Sequence, residues 1–447
     1  MNTKTGNTTC LWKRDFVLLI FTVVMVILLY SMVTEETTTV RSPVPKLQEK
    51  IYPVPISEES ITPLKNTKHL LVSAFMDQRI KGFDIRIIGI FKRDSIQPLH
   101  CSFCCGSVFN QTTPATILVH SDHFGFPYGA TDVLCQIPQN CDASHVTLLT
   151  NPSANASEHT FIPIRNKMKK TRFNFTVCIS TLFGDYNNVL QFAQTLEVYR
   201  LLGVDRVVIY NTSCSPELDR LLRSYSQEGF LEVVPWPIGN FLTPSNGWRF
   251  QDFGGDLEYY GQLVTLNECV YRSMERSRYV LLNDIDQIIM PYKHDNLVSL
   301  MNTLEPQHPN VGAFFIEEHI FPCKHFEPSR KFHFPRWEKV PGVNILEHIY
   351  RQEPDRSVYH QYKMIVKPKS IEQTSVHEVL KKFGELYKVP PDVCRMIHLR
   401  SGLQGFLNVE ELNEDKRLWD FQEKLIPNVD KVLKRAGMIP AEEQNKL

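Results

Sequence analysis

Two aspartates close the apolar run Tyr279 to Leu282 in the segment YVLLNDIDQIIMP, and their Asp284-x-Asp286 spacing is the strongest sign of chemistry in the chain. Side chains at i and i+2 of an extended backbone point the same way, so two carboxylates there repel unless a cation lies between them. A divalent cation on one or two carboxylates neutralises a diphosphate as it becomes a leaving group, which is the need that a nucleotide-sugar donor creates. Asp286 is then the direct ligand, with Asp284 reaching the cation through water or holding ribose hydroxyls. A solvated turn after a core strand is the competing reading of so short a motif. An EF-hand calcium loop does not fit, because its further acidic positions and its spaced glycine are missing.

A third metal ligand would come from far along the chain. His377 in TSVHEV and His398 in MIHLRSG are the candidates, each equally readable as a hydrogen-bonded structural histidine. Arg400, two residues after His398, carries the planar guanidinium that matches phosphate oxygens. A general base for an acceptor hydroxyl should be a carboxylate. Glu317 and Glu318 in FFIEEH, and Asp252 and Asp256 in RFQDFGGDLEYYGQ, are candidates, with plain surface roles open for each. In the latter segment Trp248, Phe250, Tyr259 and Tyr260 either stack on a sugar or simply pack.

These residues need a frame, and the patterning predicts an α/β one. FNFTVCISTLF reads as a buried strand, followed by a helix with Val189, Phe192, Ala193, Leu196 and Tyr199 on one face and Gly203 as its stop. A strand over Arg206 to Tyr210 follows, then a helix with Ser215 as cap, Pro216 in its first turn and Gly229 at its end. Phe230 to Trp236 is a third strand, and a helix over about Gln262 to Arg276 leads into the Asp-x-Asp strand. Alternating strands and helices mean a mostly parallel, Rossmann-like sheet, and the aspartates sit at a strand's carboxyl end, where such sheets bind ligands. No Gly-x-Gly-x-x-Gly follows the first strand, which argues against a nicotinamide dinucleotide.

The rest of the 447 residues bounds the setting. Lys plus Arg and Asp plus Glu are 49 each, so there is no global basic field of the kind nucleic-acid binding uses. Residues 16–33, FVLLIFTVVMVILLYSMV, are long enough and uncharged enough to span a membrane. Lys4, Lys13 and Arg14 before the span and Glu35 and Glu36 after it predict a cytosolic tail over 1–15 and everything beyond on the far side. Residues 34–68, rich in Thr, Pro and Glu, read as an extended stem. Residues 69–165 carry short alternating runs between turn residues and read as a small β-rich, disulfide-bearing domain, with the α/β domain over 172–435. Ten of eleven cysteines lie beyond the span, and disulfides are favoured over zinc for Cys101, Cys104 and Cys105. Sequons stand at Asn110, Asn155, Asn174 and Asn211.

The ordered set VCISTLFGDYNNVLQFAQTLEVYRLLGVDRVVIYNTSCSP, FLEVVPWPI, GQLVTLNEC, YVLLNDIDQIIMP, MIVKPKSIEQTSVHEV and RMIHLRSG resembles glycosyltransferase family 92, over about residues 70 to 430. The resemblance implies a single-pass type II Golgi membrane protein with a lumenal GT-A catalytic domain. It also implies manganese, inversion at the anomeric carbon, and transfer of galactose from UDP-galactose to a terminal galactose or fucose of glycoprotein glycans, with a β-1,4 linkage. Position by position it implies donor-site roles for Ser180, Thr181, Asn211, Gln262, Asn267 and Asp284, and metal roles for Asp284, Asp286, and His377 or His398. Two positions depart from the family pattern: Gln287 stands where Glu follows the second Asp, and Leu399 where an aromatic separates His from Arg. Transfer of another UDP-hexose, or a silent glycan-binding scaffold, is the alternative, and a homodimer is left open.

Overall fold

The computed structural model describes residues 54–106, 108–357, 361–400 and 408–440. The expected cytosolic tail, the span at 16–33 and the first part of the stem lie outside the described residues. Among the described residues no helix is long and apolar enough to cross a membrane.

The C-terminal sheet contains β1 (Phe173–Leu182), β2 (Arg206–Asn211), β3 (Leu231–Pro235), β4 (Ser277–Asn283), β5 (Gln287–Pro291), β6 (Val311–Pro322), β7 (Tyr362–Val366), β8 (Glu385–Lys388) and β9 (Cys394–Arg400). Its order is β3-β2-β1-β4-β7-β6-β9-β5, with β8 beside β6. The first four strands are parallel, β7 runs antiparallel between β4 and β6, and β5 pairs antiparallel with β9. The sheet is therefore a mixed α/β one, all parallel from β3 to β4 and mixed beyond, where β7 and β5 run antiparallel to their neighbours while β6 pairs parallel with β8 and β9.

Local sequence explains the crossovers. Helix α1 (Val189–Leu201) ends at Gly203, whose φ of 88° needs no Cβ. Helix α2 (Pro216–Gln227) starts where the Ser215 hydroxyl accepts from the Leu218 amide, 3.1 Å away. Both pack on one face of the sheet together with α5 (Gln422–Arg435), through Leu196, Leu221 and Leu425 among others. Helix α3 (Gln262–Ser273) covers the other face, and α4 (Leu297–Gln307) connects β5 to β6.

A second nine-stranded sheet, over residues 62–165, packs on α3. Its strands are apolar on both faces: Leu70, Val72, Ile88 and Ile90 meet α3, while Leu71, Ala74, Ile85 and Ile87 form a separate core. Sheet and α/β layers belong to one compact unit. The end of the expected stem belongs to it too, since Ile61 and Leu64 are buried and Thr62–Pro63 pairs with Leu70 and Leu71. Apolar side chains outweigh the local prolines there.

Among the described residues six cysteines pair, as Cys101–Cys135 and Cys105–Cys141 within the N-terminal sheet and Cys178–Cys269 between β1 and α3. Cys104, Cys214, Cys323 and Cys394 are free thiols.

Candidate active site

The turn between β4 and β5 carries Asp284 and Asp286 and is built from within. The buried Tyr199 hydroxyl of α1 accepts from Asn283 Nδ2 at 2.6 Å and from the Ile289 amide at 3.2 Å, and donates to the Gln287 carbonyl at 3.0 Å. Gln287 closes the turn, its Oε1 accepting from the Asp284 amide at 3.0 Å. Gln287 thus needs only an acceptor oxygen, so the Gln in place of Glu keeps the geometry. Leu399 is buried in the core shared with α1 and α2, which explains its apolar character.

The two aspartates face different partners. Asp284 Oδ1 accepts from Gln262 Nε2 at 2.9 Å, and Oδ2 lies 2.9 Å from Lys363 Nζ. Burial alone would raise the Asp284 carboxyl, and the Lys363 ammonium overrides it, so the group is held below the usual carboxylate range. Lys363 on β7 is itself buried, and Gln262 also donates to Ser180 Oγ at 3.1 Å. His377 stands beside this pair, its Nδ1 donating to the Tyr362 carbonyl at 3.2 Å. Burial and then Lys363 depress the imidazole to about 4, so it is neutral with an open Nε2 lone pair.

Asp286 instead meets His398. His398 Nε2 donates to Asp286 Oδ2 at 3.1 Å, and Nδ1 donates to Glu318 Oε1 at 2.5 Å. Burial would lower this imidazole, yet the two carboxylates raise it to about 9. A histidine whose far nitrogen is braced by a buried carboxylate is the arrangement that metal-bound histidines use. If His398 gave up its Nε2 proton, Asp286 Oδ2 and His398 Nε2 would offer a divalent cation one oxygen and one nitrogen donor. Among the described residues no group of three or more His, Cys, Asp or Glu is gathered as a metal site. An ion here would complete its shell from diphosphate and water.

The candidate bases separate just as clearly. Glu317 and Glu318 are neighbours on β6 and project oppositely. Glu318 orients His398, and Gln361 supplies its second partner when its amide is assigned with the nitrogen towards Glu318, 3.1 Å from Oε2. Glu317 is gripped by the Arg356 fork at 2.8 Å on each oxygen and by His319 at 3.2 Å. Against the upward push of burial, these partners hold it at about 2, which makes it a weak base. Asp252, in the short helix Phe250–Phe253, is 41% exposed and pairs with Arg249. Asp256 accepts from the Thr243 amide at 2.8 Å and braces its own loop.

The remaining residues frame the donor side. Thr181 Oγ1 donates to the Tyr259 carbonyl at 2.9 Å. Asn211 donates to Cys214 Sγ at 3.6 Å, and its buried Oδ1 has no partner among the described residues. Asn267 points away from the aspartates: its amide donates to Leu263 O and Thr374 O and its Oδ1 accepts from the Thr374 amide, a strut between α3 and the 371–374 strand. Arg400 ends β9, and its charge, with burial and Asp284 ahead of it, acts on the Tyr259 phenol. Tyr259 and Tyr260 have φ of 32° and 54°, and such strained backbone gathers at functional sites. Lys363, Tyr199 and Gln361 were not signalled by the sequence motifs.

The model for glycosyltransferase family 92 matches residues 173–435. The chain belongs to glycosyltransferase family 92. The family 92 protein F13G3.3 of Caenorhabditis elegans is 28% identical over 228 residues, covering 50% of this chain and 41% of that protein. The beta-1,4-galactosyltransferase galt-1 of the same organism is 20% identical over 271 residues, covering 58% of this chain and 60% of that protein. The chain spans about half the length of the curated relatives it matches. A mannosyltransferase of Pyrobaculum calidifontis, solved with GDP-Man and Mn2+, aligns at 12% identity and TM-score 0.28, over 60% of this chain and 76% of that one.

Glu258, at the base of the aromatic loop, gives this family 92 chain a pH-sensitive stability. Its buried Oε1 accepts from the Leu263 amide at 3.2 Å at the start of α3, and its Oε2 has no partner among the described residues. Burial raises the carboxyl from 4.5 to about 8, so the fold favours its protonated form. That stability is full below pH 4.5 and is lost as pH rises towards 8. Glu258→Gln should match the parent in unfolding free energy at pH 4.5 and exceed it at pH 8 by about 1–3 kcal/mol. A constant difference across this range would show that Glu258 does not titrate in the fold.

Proposed function

We propose that the protein is an inverting, metal-dependent glycosyltransferase of GT-A type that moves galactose from UDP-galactose onto a terminal galactose or fucose of a glycoprotein glycan. The observation that carries this reading is the Asp286–His398–Glu318 line, at the carboxyl end of the parallel half-sheet of a family 92 chain. The activity for which galt-1 is named supports galactose and the β-1,4 linkage.

Asp286 and His398 would hold Mn2+, which when bound supplies positive charge to the leaving diphosphate. Asp284, kept ionised by Lys363 and turned by Gln262, accepts hydrogen bonds from the donor. The orphan Asn211 Oδ1 is an acceptor for a donor hydroxyl or amide, and Arg400 faces phosphate. Trp248, Phe250 and Phe253 are exposed aromatics on the loop after β3 and offer the acceptor sugar an apolar floor. Asp252, whose pair with Arg249 lies exposed on that loop, is the proposed base for the acceptor hydroxyl, because Glu317 and Glu318 are buried and committed to Arg356 and His398. The disulfides support an oxidising compartment, in keeping with a Golgi enzyme anchored through residues 16–33.

The test is UDP release by the secreted chain from residue 54 onward. A panel of UDP-sugars and galactose- or fucose-terminated acceptors is run with and without manganese. Release confined to UDP-galactose, manganese and one acceptor class is the expected result. Release from a different UDP-hexose would reassign the donor, and folded protein that binds no UDP would favour a glycan-binding scaffold.

A further inference from the structure

We infer that the N-terminal sheet is part of the frame of the active site, and that its Asp122 is a positioning residue for the segment that carries His377. The inference rests on the donor-site reading given above. The family match begins at residue 173, so it assigns nothing to this sheet.

His377 follows the first strand of a two-stranded hairpin, Ile371–Thr374 and Val379–Lys382. Strands of this length do not hold a geometry by themselves. Every residue from 372 to 375 is tied down from outside the hairpin. Glu372 Oε1 accepts from Arg86 Nη2 at 3.2 Å, and Gln373 Nε2 donates to Asp132 Oδ2 at 2.8 Å. Thr374 is held by Asn267 of α3 through its carbonyl and its amide, at 2.8 and 2.9 Å. Ser375 Oγ donates to Asp122 Oδ2. Arg86, Asp132 and Asp122 all belong to the N-terminal sheet or its loops, while α3 supplies Asn267 and Tyr271, whose hydroxyl donates to the Glu372 carbonyl at 2.8 Å. The next residues reach the donor side: the Val376 carbonyl lies 3.5 Å from Lys363 Nζ, and His377 stands beside the Lys363–Asp284 pair.

The loop that bears Asp122 also holds the aromatic segment after β3. The Phe124 carbonyl accepts from the Phe250 amide at 3.3 Å, and the Phe124 ring meets Trp248 edge-on at 5.9 Å. The Tyr128 amide donates to the Asp256 carbonyl at 3.1 Å. One loop of the N-terminal sheet thus fixes both the His377 segment and the proposed acceptor floor. Asp122 is only half-buried, so it can be changed without opening the core.

The test uses Asp122→Ala, Ser375→Ala, the double variant and Asp122→Asn in the full chain. It measures hydrogen exchange of amides 372–379, UDP affinity with and without Mn2+, and melting temperature. Each single Ala variant should speed exchange in 372–379 and weaken UDP binding about tenfold, with little change in melting temperature. The double variant should be no worse than either single one, because both remove the same bond. Asp122→Asn should recover most of the protection, since its amide oxygen still accepts from Ser375. Exchange and affinity equal to the parent in Asp122→Ala, or fully additive losses in the double variant, overturn the inference. A parent chain that binds no UDP overturns the donor-site reading, while the exchange arm still decides whether Asp122 positions the hairpin.

Discussion

Asp286→Ala is expected to lower turnover on the order of 10³-fold while leaving the melting temperature within a degree or two of the parent. The Asp286 side chain is 31% exposed and its described partner is His398, so the core loses little when it is truncated. Asp284→Ala should behave differently. It leaves the buried Lys363 ammonium without its carboxylate, a fault that destabilises by about 3–5 kcal/mol. Loss of activity in that variant would mix misfolding with lost chemistry. Glu318→Gln separates a ligand from its support: with Asp286 and His398 intact, Mn2+ affinity should fall about 10–100-fold. Activity assayed at rising Mn2+ should recover in Glu318→Gln and not in Asp286→Ala. Near-normal turnover of Asp286→Ala would remove this turn from the chemistry.

The contrast between the two aspartates follows from the sheet. Asp284 continues the line of β4 and meets β7, the antiparallel neighbour that brings Lys363. Asp286 precedes β5, whose neighbour β9 brings His398 in register with Gln287. The carboxylates point towards different strands because the chain turns between them. Charge balance is met on one side by a fixed ammonium and on the other by an imidazolium. Only the second can give up its proton and offer a lone pair.

Much of the frame could be read in the sequence, since its signals are local. Gly203, Ser215 with Pro216, and Gly229 mark helix ends that α1 and α2 respect to within a residue or two. The Asp-x-Asp at a strand end and the pair of distant histidines were equally visible. Long-range pairing was not. Lys363 within YKMIV reads as an ordinary alternating strand residue, and Tyr199 reads as one more member of an apolar helix face. Glu317 and Glu318 look alike in sequence, and only their partners from other strands and loops, Arg356 and His398, give them different roles. The N-terminal sheet looked self-contained because turn residues punctuate it. Its strands IRIIGIFK and LLVSAFM are nevertheless apolar on both faces, which already calls for a second covering layer. That layer is α3.

The joint between the two layers is where the largest stability loss is expected. Arg86 is fully buried, and its guanidinium donates to Asp77 at 3.0 Å, Asp132 at 2.5 Å and Glu372 at 3.2 Å. Arg86→Met fills similar space and removes the charge, leaving carboxylates in a dry joint, at a cost of about 3–5 kcal/mol. Burial would push the Asp132 carboxyl up, and His120, Arg86 and Gln373 together hold it at about 2 instead. In the parent, the stability from this carboxylate is present above its unfolded value of 3.8 and is lost as pH falls towards 2. Without Arg86 the balance tips towards burial, and Asp132 takes up its proton at higher pH. The deficit of Arg86→Met, measured by urea unfolding, should therefore be largest at pH 7 and shrink towards pH 4. Adding Asp132→Asn should recover part of it at pH 7, because one buried charge is then gone. A deficit below about 1 kcal/mol, or one indifferent to pH, would mean that apolar packing on α3 holds the joint and that Arg86 only satisfies its neighbours.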